Sequence, residues 1–207
     1  MMNLEKILDL NQLYVVGVSG GCDSMALLDI MYNRGFKLVV CHVNYHLRDD
    51  SNLDQATVFK YCDKHQIPFY IREISKGEYG KDNFQSQARK LRYEFYYQIA
   101  CKYGINKVVL AHHLDDVVEN IIMQLQRHNT KGYLGIKAVS KVHGLTVLRP
   151  FLDVKKQVLR DYCHENNVRY RDDYTNFETE FTRDFVRNVT LKKYTEQQIT
   201  DILCKAN

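Results

Sequence analysis

Two short stretches concentrate the residues that could do chemistry. Ser19-Gly20-Gly21-Cys22-Asp23-Ser24 sets hydroxyls, small residues and a carboxylate directly after the apolar run Leu13–Val18. A β-branched run followed by small and acidic residues reads as strand, tight turn and helix start. The two glycines let the backbone turn sharply and come close to a ligand. The first amides of the following helix then add donors and a dipole that favour an anion. Such a turn can cradle phosphate, although no Gly-Lys-Ser/Thr follows at Walker A spacing. The plainer reading is a turn capped by Asp23 or Ser24. Gly17-Val18-Ser19-Gly20-Gly21 also spells the Gly-x-Ser-x-Gly elbow of α/β-hydrolases. That nucleophile normally follows several strands, whereas Ser19 follows the first.

The second stretch is His112-His113-Leu114-Asp115-Asp116 with Glu119. On a helix Asp116 and Glu119 are i, i+3, and Asp115 and Glu119 are i, i+4, so each pair shares a face. Two such carboxylates can hold magnesium, a cationic substrate or a proton in transit. Zinc suits the stretch less, because His-Glu-x-x-His spacing and a nearby thiolate are both missing. The plainer reading has Asp115 and Asp116 complementing a helix dipole. Arg89, Lys90 and Arg92 form a cationic turn in which Arg89 and Arg92, again i, i+3, can offer forked donors to phosphates. An exposed basic helix turn explains them equally well.

These groups need elements that bring them together. Strand-length apolar runs at Leu13–Val18, Leu38–Val43, Phe69–Ile74, Val108–Ala111 and Gly144–Leu148 alternate with helical patterns. The helices are read at Met25–Met31, Leu53–Tyr61, Phe84–Tyr103, Val117–Leu125 and Val154–His164. The alternation predicts an α/β fold: an open, mostly parallel five-stranded sheet with helices on both faces. Ligands of such sheets bind outside the carboxyl ends of the strands. Ser19–Ser24, His42 with Asn44, and His112–Asp116 follow the first, second and fourth strands and so fall on that edge. Arg127–Tyr133 reads as a loop, 169–180 as a polar stretch, and Phe181 onward as helix. Residues 1 to about 150 read as a nucleotide-binding domain. Residues 151–207 read as its fifth α/β unit or a short helical extension.

At 207 residues, 45% hydrophobic and 26% charged, the chain has the size and composition of one soluble domain. Its net charge of +4 permits a nucleic-acid partner without requiring one. Basic clusters at 89–92, 127–141, 155–160 and 183–193 are the places where phosphates could be met. The cysteines at 22, 41, 62, 101, 163 and 204 form no Cys-x-x-Cys pair and read as core thiols of a reducing compartment. Glu5, Lys6 and Asp9 interrupt what a signal peptide would need, and no uncharged run has transmembrane length. A cytoplasmic location is the expectation.

With these residues in view, the chain resembles the PP-loop ATP pyrophosphatases, which cleave ATP between its α and β phosphates. Within them it is similar to the tRNA(Ile)-lysidine synthetases, over nearly its whole length. The matching stretches begin with Ser19–Ser24, His42-Val43-Asn44-Tyr45-His46-Leu47-Arg48 with Ser51 and Asp54, and Ala88-Arg89-x-x-Arg92-Tyr93. They continue through His112-His113-x-Asp115-Asp116-x-x-Glu119, 132–136, Arg149-Pro150, and Asp173-x-x-Asn176 to Thr182-Arg183. That family joins lysine to carbon 2 of the cytidine at the first anticodon position of an isoleucine tRNA, releasing AMP and pyrophosphate.

The resemblance implies a Rossmann-like adenine nucleotide α-hydrolase architecture. It also implies ATP as co-substrate with Mg2+, tRNA(Ile) and L-lysine as partners, no membrane, and room for a homodimer. Ser19, Gly20, Gly21, Cys22, Asp23 and Ser24 would grip ATP, with Asp23 near metal and phosphates. Arg92 would steady the α-phosphate as the cytosine carbonyl oxygen attacks it, with His112 beside the step. Asp116 and Glu119 would hold the lysine ammonium groups. The full set of metal ligands stays open. The loop Arg127-His128-Asn129-Thr130-Lys131 is bulkier than the Gly/Ser-rich loop common in the family. Two alternatives stand beside this reading. A related tRNA 2-thiolation enzyme would want cysteine pairs, and a non-catalytic adenine-nucleotide module would not need Asp116, Glu119 and both histidines.

Overall fold

The computed structural model describes residues 4–75, 77–78, 84–128 and 132–171. After a 3-10 turn at Leu4–Lys6 come β1 (Leu13–Gly17), α1 (Cys22–Asn33), β2 (Lys37–Asn44) and α2 (Ser51–Lys64). They are followed by β3 (Phe69–Glu73), α3 (Phe84–Lys102), β4 (Lys107–Val109) and α4 (Leu114–Gln126). The chain then makes β5 (Val139–Val142), β6 (Leu145–Leu148) and α5 (Lys156–Glu165). The strands form one sheet in the order β3-β2-β1-β4-β6-β5. Every neighbouring pair is parallel except β5 with β6.

The expected five strands are therefore joined by a sixth. Strand β5 carries exposed Val139 and Lys141, so it lacks the continuous apolar run that marks the inner strands. Val142 pairs with Leu145, leaving a two-residue loop of His143 and Gly144 with φ of 49° and 81°. Positive φ at both central positions is what a type I′ hairpin turn demands. The usual marker of that turn is Asn-Gly or Asp-Gly, and histidine here takes the left-handed position instead.

Side chains alternate across the sheet and build two cores. Val16, Val18, Leu38, Val40, Val109 and Leu148 face one side, with buried residues of α1, α2 and α5. Val15, Val39, Cys41, Val108, Leu110 and Val147 face the other, against Tyr93, Tyr96, Ile99 and Ala100 of α3. Leu159 and Cys163 of α5 are buried in the same cluster as Met25 and Leu28 of α1. Asp29, a buried carboxylate on α1, accepts hydrogen bonds from Tyr61 (2.7 Å), Tyr162 (2.6 Å) and Asn33 (2.9 Å). This satisfied polar centre ties α1 to α2 and α5 and so fixes the helix that starts at the Ser19–Ser24 turn.

Among the described residues no helix is long and apolar enough to cross a membrane. The Asp173–Arg183 stretch, the helix expected from Phe181 and the 183–193 basic cluster lie outside the described residues.

Candidate active site

Strand order reverses direction between β1 and β4, whose neighbours on either side are β2 and β6. A crevice opens at such a switch point, outside the carboxyl ends of the two central strands. Chain leaving β1 there is Val18-Ser19-Gly20-Gly21, and chain leaving β4 is Leu110-Ala111-His112-His113. The floor is tightly built: a Cβ on Gly17 would sit 2.4 Å from the Tyr96 hydroxyl oxygen and 2.6 Å from Leu110 Cδ2.

Ser24 folds back over the turn. Its Oγ accepts from the Ser19 amide at 3.1 Å, donates to the Gly21 carbonyl at 3.0 Å, and lies 3.1 Å from Ser19 Oγ. Gly21, not Asp23 or Ser24, occupies the N-cap of α1, with no side-chain cap bond. The helix's first-turn amides are thus left facing the crevice, the arrangement that favours an anion. Gly20 has φ of +95°, and a Cβ there would meet the backbone of Asp54 at 3.0 Å. The Arg171 amide donates to the Gly20 carbonyl at 3.0 Å, and Arg48 pairs with Asp54, so α2 and the segment after α5 clamp the turn. Cys22 is the exception among the expected ligand residues. Its sulfur is buried 3.8 Å from Cys163 Sγ in the core, so only its backbone belongs to the turn.

His42 and Asn44 also have supporting positions. His42 Nδ1 lies 2.8 Å from the Val18 carbonyl, and burial pushes the imidazole's pKa down. Asn44 donates to Asn52 and Gln55 and accepts from the His46 amide. The crevice is reached instead by the alternate residues Val43 and Tyr45.

His112 and His113 behave as opposites. His113 is in extended backbone at the N-cap of α4, and consecutive side chains of extended backbone point to opposite sides. His113 is 2% exposed, with Nε2 3.5 Å from Asp23 and 3.4 Å from Asp116, and Nδ1 3.3 Å from Asp115. Burial opposes its charge, but Asp115, Asp23 and Asp116 outweigh it and hold the pKa at about 9. Asp115, despite burial, is pushed down to about 2 by His113 and by the Lys156 amide, which donates to it at 2.8 Å. Lys156 Nζ lies 3.7 Å from Asp23. His112, by contrast, is pushed down to about 4 by burial and by Arg149, Arg92 and Arg89, against the pull of Asp116. Its Nδ1 is buried without a hydrogen-bond partner.

Two cavities meet at His112. The smaller, about 190 Å³, is bounded by Ser19, Asp23, Ser24, Tyr45, Arg92 and His112. The larger, about 420 Å³, includes Arg89, His112, Asp116, Glu119 and Arg149 in its wall. Glu119 is only 5% exposed, and Asp116 Oδ2 accepts from the His113 amide at 3.0 Å. Arg89 and Arg92 do not form one phosphate-facing pair, because each lines a different cavity. Arg149, which the sequence offered only as part of a matching dipeptide, lines the larger cavity with Arg89, Asp116 and Glu119. Magnesium commonly takes one or two carboxylates, water and substrate phosphates. Asp23 on the smaller cavity's wall suits that role, and among the described residues no group of three His, Cys, Asp or Glu could enclose a metal.

The family model described as a PP-loop domain matches residues 2–194. The chain belongs to the PP-loop family. A protein of Ureaplasma parvum named tRNA(Ile)-lysidine synthase is 41% identical over 183 residues, covering 86% of this chain and 54% of the relative. Its namesake in Mycoplasma mycoides subsp. mycoides is 41% identical over 198 residues, covering 94% and 49%. The chain thus spans about half the length of these curated relatives. Among solved structures, the U34-tRNA thiolase NcsA from Methanococcus maripaludis superposes with a TM-score of 0.78 at 16% identity, covering 97% of this chain and 73% of that one. That likeness places the PP-loop turn of this chain on the same kind of α/β scaffold.

Proposed function

We propose that this PP-loop chain houses the ATP-dependent ligation centre of a tRNA(Ile)-lysidine synthetase. One observation carries the reading: His112 is the common wall between a phosphate-suited cavity and a second cavity lined by Asp116 and Glu119. Two half-reactions sharing one intermediate need such a pair. The relatives named tRNA(Ile)-lysidine synthase supply the substrate class.

In the first half-reaction the oxygen on carbon 2 of cytidine would attack the α-phosphorus of ATP. The new oxygen–phosphorus bond forms as the bond to the β-phosphate oxygen breaks, and pyrophosphate leaves. Ser19, Ser24 and the amides of the turn would hold the phosphates, and Arg92 would meet charge developing on the α-phosphate. Asp23 would hold Mg2+, which supplies neutralisation of phosphate charge when bound. In the second, the lysine amine would attack carbon 2, a carbon–nitrogen bond forms, and AMP leaves with the oxygen. Asp116 and Glu119 would hold the ammonium groups, and neutral His112 stands where it can take the proton released by the attacking amine. Residues 1 to about 150 would form the nucleotide-binding part, and 151–207 its fifth α/β unit or a short helical extension of the same domain.

The thiolation alternative is disfavoured by the described cysteines. Cys22, Cys41, Cys62 and Cys163 are buried in the core, and Cys101 alone is exposed. The test is pyrophosphate release by the chain with ATP, tRNA(Ile) and lysine, and detection of lysidine in the digested tRNA. Release that needs tRNA, together with a lysine-dependent product, supports the reading. ATP turnover indifferent to tRNA, or a sulfur-containing product, overturns it.

A further inference from the structure

The cation of the smaller cavity is held by phenols. Arg92 lies on α3 and lines that cavity with Asp23, Tyr45, Tyr96 and His112. The carboxylate in this wall, Asp23, pairs with His113 and Lys156. Burial works against the charge of Arg92, but Tyr45, Tyr96 and Tyr93 outweigh it and hold the pKa up. Arg92 Nε is buried with no hydrogen-bond partner, so the guanidinium keeps a donor in reserve.

Tyr45 is set in place by the chain around it. It is the first residue after β2, in a turn where Asn44 Oδ1 accepts from the His46 amide at 3.0 Å and His46 takes a φ of 50°. Asn44 is itself anchored, donating to Asn52 and Gln55 of α2 at 3.0 and 3.1 Å. The Tyr45 ring meets Phe84 edge-on, with centroids 6.0 Å apart. Its hydroxyl donates to the Ala88 carbonyl at 3.0 Å. In a helix that carbonyl is the partner of the Arg92 amide, four residues on. A phenol has one hydrogen to give, so with it committed to Ala88 the same oxygen can only accept, and it accepts from the Arg92 guanidinium. Burial pushes the Tyr45 pKa up against the opposing pull of Arg92, so the phenol is neutral. A neutral acceptor directs a guanidinium and leaves its charge available. A carboxylate in the same place would cancel much of that charge.

We propose that Tyr45 is a positioning residue that aims the Arg92 guanidinium at the α-phosphate of the bound nucleotide. The inference rests on the role given to Arg92 above and deepens it. The hydroxyl holds the helical turn through Ala88 and the side chain through the guanidinium, so both ends of Arg92 are fixed before the nucleotide arrives.

The experiment is a double-mutant cycle of Tyr45→Phe and Arg92→Lys. Tyr45→Phe keeps the ring against Phe84 and removes a single oxygen, and the thermal midpoint of each variant checks that it is folded. Pyrophosphate release by the full chain with ATP, tRNA(Ile) and lysine is resolved into kcat and the KM for ATP. Tyr45→Phe should lower kcat by about ten- to a hundredfold, the range for a hydrogen bond to a charged group, with the KM for ATP within about twofold. In the Arg92→Lys background, where no guanidinium is left to aim, the same change should cost less than about twofold. An equal factor in both backgrounds would make Tyr45 a staple of α3 and overturn the inference, as would an unaltered kcat in Tyr45→Phe beside a damaged Arg92→Lys. Arg92→Lys at the wild-type rate would instead remove the role of Arg92 itself, and Tyr45 with it.

Discussion

Glu119→Gln gives the sharpest test of the proposed chemistry. Glu119 lines the 420 Å³ cavity at 5% exposure, three residues beyond Asp116 on α4. Glutamine has the same shape, so the substitution leaves no void. Only the charge is lost. A contact to a charged group contributes about 1.5–3 kcal/mol, equivalent to roughly ten- to a hundredfold in affinity. The KM for lysine should therefore rise by that factor at saturating ATP and tRNA, while the KM for ATP stays within about twofold. Lysine and magnesium are titrated separately against the variant, and its thermal midpoint is recorded alongside. An unchanged lysine KM would refute the ammonium-holding role. Impaired ATP use relieved by excess magnesium would reassign Glu119 to the metal.

Three further outcomes are expected. Arg92→Lys keeps the charge but loses the forked edge, so tRNA-dependent pyrophosphate release should fall at least about tenfold; wild-type rates would return Arg92 to a bystander role. Gly17→Ala would press a methyl group into Tyr96 and Leu110, costing about 1–3 kcal/mol in denaturant unfolding, and an unshifted midpoint would contradict the close approach. His112 is held near pKa 4 against its ordinary 6.5. The unfolded chain therefore binds a proton that the folded one refuses as pH drops from about 6.5 to 4. Stability should fall by up to about 3 kcal/mol across that window, and His112→Asn should flatten this part of the pH–stability curve; parallel curves for the two proteins would contradict the assignment.

The sequence announced the phosphate turn because glycines and hydroxyls at a strand end have few other uses. It announced the carboxylates of α4 because helical spacing alone puts them on one face. What it could not announce depended on neighbours far along the chain. Strand β2 is buried on both faces, so its apolar pattern has no phase, and nothing local said that Val43 and Tyr45 rather than His42 and Asn44 reach the crevice. Burial, helped by Arg149, Arg92 and Arg89, holds the pKa of His112 down, whereas Asp115, Asp23 and Asp116 outweigh burial at His113 and hold its pKa up. Cys22 lies within the turn yet packs against Cys163, a partner 141 residues away. Arg149 acquires its meaning only when β6 lies beside β4 at the crevice.

The β5 hairpin has a consequence for how this protein behaves in solution. Without it, β6 would end the sheet with its backbone donors and acceptors open beside Leu145, Val147 and Leu148, a template for pairing with another chain. The covering strand is four residues long and carries an exposed lysine at Lys141, both poor invitations to aggregate. It is fastened by the Arg149 guanidinium to Ser140 and Lys137. A side chain in the wall of the larger cavity is thus also the rivet of the sheet's outer edge. Substitutions at this position should loosen the hairpin and expose the edge of β6, so a laboratory selection for soluble protein alone should retain the arginine.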